Sequence, residues 1–379
     1  MNFLESGILY IEKLRDEIYT CNRTRCGFCR EECPIYDIFR FEAFSSRGRS
    51  QIAKGLLEGT IQPSQELSEC LGLCATCGYC RYRCALPAVE LLERLRADLV
   101  KAGYELPGHH RMKERILKTK NPYGKEVEEK GQWAEGLQFN ENSSTLFFAG
   151  CLYALLAPDL LVKMVQILQT AGMDLNHFGE EECCGAVLHT TGYWDEFQQN
   201  STAFITLLEQ KGIQEIITPC PSCYKTFRQT YSEFFPDFNL RVRHVVEVIL
   251  ELIENKQLEF TKAIEKRVTW HDPCHLGRFM GLFEEPRKII KSIPGIELVE
   301  MEHNRYEAKC CGGGGGLLVE YADTAIDIAT NRIKEAEETQ AEYLVTMCPT
   351  CREVLARAAR YNDSSIQIID LIELIEMAF

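Results

Sequence analysis

The chain has 379 residues, of which 45% are apolar and 26% charged, the usage of a soluble globular protein of two to three domains. Its net charge of −14 speaks against nucleic acid, whose binders need a basic face. Its longest apolar stretch, Leu146 to Pro158, is too short to cross a bilayer. The 19 cysteines are the exceptional feature. A disulfide framework belongs to short secreted domains, and this long chain opens MNFLESGILYIEKL, with no basic region or small-residue cleavage site. The thiols therefore read as reduced and metal-bound, in a cytoplasmic, anoxic compartment.

In chain order, residues 1–125 read as helical. Ile8, Ile11, Leu14 and Ile18 form one stripe of an amphipathic opening helix. A first cysteine run follows, Cys21-x4-Cys26-x2-Cys29-x3-Cys33-Pro34; then the stretch Phe39 to Gly59, a second run, Cys74-x2-Cys77-x2-Cys80-x3-Cys84, and a helix from Ala88 to Ala102. Some 40 residues separate the runs, so helices are expected to hold them apart. Cys70 is an extra thiol that could replace a ligand or stay free. Arg111 to Lys125 reads as a solvated helix, and the polar residues 126–142 as a linker.

Two α/β units are expected next, over 143–258 and 259–379. Each has a short apolar run entering a cysteine, Thr145 to Gly150 before Cys151 and Arg267 to Pro273 before Cys274. Helical patterns follow, Asp159 to Ala171 and Glu285 to Ser292, stopped near Gly172 and Gly295. A long helix, Asp195 to Gln210 or Tyr321 to Thr339, precedes a second strand, Ile213 to Pro219 or Ala341 to Met347. Alternating strands and helices predict βαβ units with mostly parallel sheets, whose ligands collect at the strands' carboxyl ends. All ten thiols of the units are expected there.

Those ten thiols spell one pattern twice: Cys151, Cys183-Cys184-Gly185 and Cys220-Pro-Ser-Cys223, then Cys274, Cys310-Cys311-Gly312 and Cys348-Pro-Thr-Cys351. Intervals of 31 and 35 residues before the doublet, and 35 and 36 after it, agree between the copies. Zinc is satisfied by four ligands from two pairs; two runs of four and two groups of five soft thiolates suit iron and sulfide instead. His271, His275 and His189 flank the motifs as candidate proton donors, with ordinary capping or packing the favoured reading. Arg278 and Arg287 are candidates for an anionic substrate tail, with a surface ion pair as the alternative. Gly312 to Gly316 lack the pattern of a phosphate loop and suit close packing around a cluster or space for a substrate.

The two N-terminal runs resemble the bacterial ferredoxin pattern, in which each run's fourth cysteine serves the other run's cluster. That resemblance implies Cys21, Cys26, Cys29 and Cys84 at one [4Fe-4S] cluster, and Cys74, Cys77, Cys80 and Cys33 at the other. The first run departs from the pattern by Arg23 standing where a ligand is usual, the second by Ala85 after its last cysteine. The repeated units resemble the CCG cysteine-rich domain of heterodisulfide reductase, and their fusion to a helical dicluster domain resembles its D-type subunit; HDPCHLGR, EEPRKII and PCPSCYKTF carry the likeness. The architecture is also similar to the iron-sulfur subunits of glycolate oxidase and anaerobic glycerol-3-phosphate dehydrogenase.

The resemblance implies two cubane and two non-cubane [4Fe-4S] clusters, with Gly185 and Gly312 beside the latter. It implies reduction of a small thiol disulfide or heterodisulfide at the ten CCG cysteines. Electrons would come from a partner subunit: a flavoprotein, a hydrogenase or formate dehydrogenase module, or a membrane cytochrome through which the chain associates with a membrane. The alternative is an electron relay serving a flavin-dependent hydroxyacid or glycerol-3-phosphate dehydrogenase.

Overall fold

A computed structural model describes residues 9–179 and 181–379. The opening segment is a 3₁₀ turn, Tyr10–Leu14, running into the helix Arg15–Thr24. The turn starts where it does because Asp98 takes its first free donors, the amides of Tyr10 at 2.7 Å and Ile11 at 3.0 Å. Ile11 and Ile18 are buried as the stripe predicts and Leu14 packs beside them, while Ile8 lies outside the described residues. Ser45 and Ser64 cap the helices Ser46–Leu57 and Gln65–Gly72, accepting from Gly48 and Leu67. With Ala88–Lys101, these helices close one small core around Leu56, Leu71, Leu92 and Leu95.

Two parallel sheets follow. The first has β1 (Thr145–Phe147), β2 (Glu215–Thr218) and β3 (Arg241–His244), in the order β1-β2-β3. The second has β4 (Lys266–Trp270), β5 (Ile296–Leu298), β6 (Tyr343–Thr346) and β7 (Gln367–Asp370), in the order β5-β4-β6-β7. β1, β2, β4 and β6 fall in the predicted runs, as do the helices Pro158–Thr170, Trp194–Gln210, Glu284–Ser292 and Ala322–Glu338. Sequence reading passed over β3, β5 and β7. β3 and β7 run straight into the helices Val245–Glu254 and Leu371–Met377 through reciprocal caps: Glu247 accepts the His244 amide and Glu373 the Asp370 amide, both at 2.7 Å. The spacings His-Val-Val-Glu and Asp-Leu-Ile-Glu were the available signal.

The units are not independent globules. The terminal helix of each packs against the other, Val245–Glu254 on Glu284–Ser292 and Leu371–Met377 on Pro158–Thr170. One continuous apolar core runs through Val165, Ile249, Trp270, Ile290 and Leu374. This exchange fixes the two units face to face. The segment expected as a linker, 126–142, holds a short helix, Val127–Gly131, and buries both Lys130 and Trp133.

Candidate metal centres

All 19 cysteines are free thiols, and all but Cys70 gather into four groups. Cys21, Cys26, Cys29 and Cys84 line one cavity, walled by Ile18, Leu86, Leu91 and Arg47. Cys33, Cys74, Cys77 and Cys80 line a second, walled by Ile35, Val89, Leu92 and Arg49. The fourth cysteine of each run thus sits in the other run's cavity. Burial pushes Cys33 up to about 12 and holds Cys80 well above the usual thiol range, so these thiols need a cation to become thiolates. Arg49, fully buried and donating to the Leu73 carbonyl at 2.9 Å, puts its charge on Cys74, Cys33 and Cys80. Cys70 lies outside both sets, its thiol toward the Ala43 carbonyl.

In the first unit the five thiols form a hydrogen-bonded string, Cys151 to Cys183 to Cys184 to Cys223 to Cys220, all buried. Beside it stands Lys130, which sequence reasoning missed because a polar segment carries it. Its Nζ donates to the carbonyls of Glu181 at 2.5 Å and Glu182 at 3.3 Å, and pairs with the Glu181 carboxylate at 3.4 Å. Burial opposes its charge, but Cys151, Glu181 and Cys183 outweigh burial and raise the ammonium above the usual lysine range.

In the second unit Cys311 and Cys351 lie 3.2 Å apart, sulfur to sulfur, and Cys310 and Cys348 accept backbone amides. His271 closes on Cys311 and Cys351, the three donor atoms within 4.8 Å of one another. Its Nδ1 accepts from Arg332 at 3.2 Å, which leaves the ring proton on Nε2. This unit also touches the second helical cavity directly. Hydrogen-bonded by Cys310 and facing Arg278, the Cys77 thiol is lowered to about 6.

The ten thiols come from two kinds of place. Cys151, Cys220, Cys223, Cys274, Cys348 and Cys351 stand just beyond the carboxyl ends of β1, β2, β4 and β6. The two doublets come from loops that fold back over those ends and meet the other thiols there, so the expected gathering at the strand ends is reached by two routes. Gly185 and Gly312 make the turn after each doublet. Both have φ near +80°, and a Cβ would meet the Phe197 ring at 2.7 Å in the first case and the Ala325 carbonyl oxygen in the second. The Gly312 amide donates to Cys310 Sγ at 3.2 Å, so this glycine meets a thiol through its backbone.

The flanking residues sort by contact. Of the three histidines only His271 meets a thiol; His275 bonds Ser222 at 2.9 Å, and His189 stacks on Trp194. Arg287 is buried against Asp272 and Glu300, and Arg278 donates to the carbonyls of Cys77, Tyr306 and Ala308, so neither is free for a substrate anion. The glycine run serves close packing: Gly314 and Gly315 lie on the carbonyls of Ala75 and Cys74. Arg96 ties that junction together, donating to Leu71, Gly72, Cys74, Thr190 and Gly315.

Across the seam between the units, Ser222, inside the closing pair of the first, meets His275, next to the leading cysteine of the second. Tyr153 donates to Asp370 at 2.7 Å, with Cys220 and Cys348 on either side. The two five-thiol groups are therefore neighbours.

Known proteins carry the same arrangement. A 4Fe-4S dicluster domain model matches residues 17–87, and the CCG cysteine-rich domain model matches 145–228 and 268–356. The D-type subunit of dihydromethanophenazine:CoB–CoM heterodisulfide reductase from Methanosarcina mazei is 31% identical, covering 96% of this chain and 94% of the relative. The chain belongs to the family of heterodisulfide reductase D-type subunits. The B-type subunit of fumarate reductase (CoM/CoB) from Methanothermobacter marburgensis is 28% identical over all of this chain and 77% of its own length. A crystal structure of a hypothetical protein from Helicobacter pylori shares the fold alone, with TM-score 0.58 and 10% identity over 88% of this chain and 67% of that one. The chain is accordingly an iron-sulfur oxidoreductase subunit whose helical region is a domain for two [4Fe-4S] clusters. The relatives' names make them subunits of larger reductases, which implies partner subunits here. Among the described residues no helix is long and apolar enough to cross a membrane.

Proposed function

We propose that this chain is a disulfide-reducing subunit: electrons enter at the helical domain and leave to a small thiol disulfide or heterodisulfide at the two CCG sites. The carrying observation is the adjacency of the two five-thiol groups across the Ser222–His275 seam. Thiols gathered five per site and free of disulfides, all buried except the half-buried Cys274, fit thiolate ligation of an iron-sulfur group. Such groups, when bound, supply one electron at a time, and two facing sites match the two sulfurs of a disulfide.

In this reading Cys21, Cys26, Cys29 and Cys84 hold one cubane cluster and Cys33, Cys74, Cys77 and Cys80 the other. The ten CCG cysteines hold two non-cubane clusters. The protein's own groups supply positioning: the Cys77–Cys310 contact joins the second cubane site to the second unit, and His271 keeps a proton near Cys311. A partner subunit, flavoprotein or cytochrome, delivers the electrons.

Anaerobic analysis should find about sixteen irons per chain, four clusters of four; about eight or fewer with filled helical sites would leave the CCG units empty. Dye-linked reduction of a disulfide panel should be abolished by Cys184→Ser and by Cys311→Ser, with the helical-domain clusters still reducible. No turnover of the wild-type chain with any disulfide, together with electron acceptance from a hydroxyacid-oxidising flavoprotein, would replace this reading by the relay.

A further inference from the structure

The repeat keeps its ten cysteines and changes what surrounds them. Three residues before the leading cysteine the second unit has His271, against Cys311; the first unit has Phe148. Two residues before the doublet the first unit has Glu181, and the second has Ala308. Lys130, from outside the repeat, completes the first unit's set. Lys130 and Glu181 are each only 2% exposed.

Their pair is oriented. The Glu181 carboxylate caps the amides of Ala149 at 2.9 Å and Gly150 at 3.0 Å, just before Cys151, with one oxygen 3.4 Å from the ammonium. The ammonium is held by the carbonyls just before Cys183 and puts its charge on Cys151 and Cys183. Ion pairs this deep cost desolvation, and replacing one by apolar residues is often neutral for stability. A position that keeps one beside five thiols therefore points to a role beyond folding. In the second unit Arg278 is half-buried and committed to three carbonyls on the side facing Cys77, and the buried Arg332 is tied to Glu335 and reaches the thiols only through His271.

We propose that the oriented Lys130–Glu181 pair sets the reduction potential of the first unit's iron–thiolate group above that of the second. This rests on the reading that five cysteines in each unit hold such a group. Adding one electron increases the negative charge on the group by one, with no bond made or broken. A fixed ammonium in a dry site stabilises that charge. Electrons then pass into the second unit through Cys77–Cys310, and the first unit is the one that holds an electron while the second is reloaded. Lys130 is a positioning residue, acting on the group through its charge.

The test is an EPR-monitored potentiometric titration of the full chain, with Cys184→Ser and Cys311→Ser assigning each signal to its unit. Lys130→Met is expected to make reduction of the first unit at least about tenfold less favourable, a fall of ~59 mV for one electron. The second unit's potential should stay in place. Lys130→Arg, which keeps the charge, should stay close to wild type, and Glu181→Gln should move the first unit's potential upward. A purely structural pair would instead lose iron in both variants, with no shift of opposite sign in what remains. An unchanged potential in Lys130→Met, or an equal shift in both units, overturns the proposal. If Lys130→Met loses its iron, Glu181→Gln decides alone, and a potential that is unchanged or lower refutes it. A wild-type chain with no iron in the first unit overturns the cluster reading on which the proposal stands.

Discussion

The two CCG units carry one cysteine pattern and occupy different positions in the molecule. The second lies against the helical domain at its chemistry: Cys310 bonds Cys77, Arg278 donates to the Cys77 carbonyl at 2.6 Å, and Gly314 and Gly315 rest on the backbone of Ala75 and Cys74. The first touches the helical domain with no contact between thiols among the described residues: the Thr190 carbonyl takes Arg96, Gly192 fits under the Arg96 backbone, and the Cys151 thiol meets the Lys120 carbonyl at 3.7 Å. The sequence shows why. After its doublet the first unit has Gly185 followed at once by the helix Ala186–Thr191, whereas the second has five glycines before Leu317–Glu320. Side chains are tolerated where no loop approaches, and removed where one does. A duplicated motif thus has two settings: a thiol of one copy bonds a thiol of the helical domain, and the proposed function makes that copy the one through which the other is reached.

The strongest way to break this difference is Gly315→Ala. Gly315 has φ of +63°, and its Cβ would fall well inside contact distance of the Cys74 carbonyl oxygen, backbone that cannot yield without moving a cysteine of the second helical site. We expect a loss on the order of 3 kcal/mol, strain plus overlap, measured by chemical denaturation. Stopped-flow reduction of the second unit should slow with it. The matched change in the first unit, Ala186→Gly, should cost only about 0.5–1 kcal/mol, the usual helix penalty, and leave the reduction rate alone. Equal effects in the two units would remove the asymmetry.

Arg278→Met acts on the same junction with a smaller effect. It strips charge-assisted bonds from the carbonyls of Cys77, Tyr306 and Ala308, worth about 2 kcal/mol after allowing for the side chain's partial exposure. Transfer from the helical domain to the second unit should slow while dye reduction of the helical clusters stays as it was. Failure of the two rates to separate would show that Arg278 is only a structural tie.

Much of this was legible in the sequence, because thiol spacing and strand-helix alternation are local signals. The parallel sheets and the matching strands entered at Thr145 and Arg267 follow from short windows, and the crossed grouping of Cys33 and Cys84 from the resemblance to bacterial ferredoxins. What escaped is long-range. Lys130 lies 51 residues from its partner Glu181, in a segment whose composition reads as linker. Arg96 reaches 219 residues along the chain to Gly315. Arg287 looks like any surface arginine until Asp272 and Glu300 close on it from two strand ends. The exchanged terminal helices escaped because an amphipathic pattern reports a buried face and not which unit buries it.

His109 gives the finest probe of the junction. It lies buried on the helix Pro107–Thr119, with Nε2 3.2 Å from the Gly316 carbonyl, between the Arg96 guanidinium and the Glu320 carboxylate that caps Gly108. Burial, helped by Arg96, lowers it to about 3, so the ring is neutral and donates to Gly316. An unfolded chain's histidine titrates near 6.5. The folded pKa is the lower one, so the unfolded state takes up a proton that the folded state refuses, and stability falls as pH drops below about 6.5. The slope is about 1.4 kcal/mol per pH unit, or roughly 2 kcal/mol by pH 5. His177, His189, His244 and His275 are lowered in the same way, so the His109 share is read by urea unfolding at pH 7 and pH 5 as a difference: His109→Gln, which can still donate to Gly316, should lose less than the wild-type chain by about that amount. A variant that loses as much as the wild type would mean that His109 titrates in the folded protein as it does in the unfolded chain. One that loses more would mean that an imidazolium holds the glycine run of the second unit and that the junction tightens in acid.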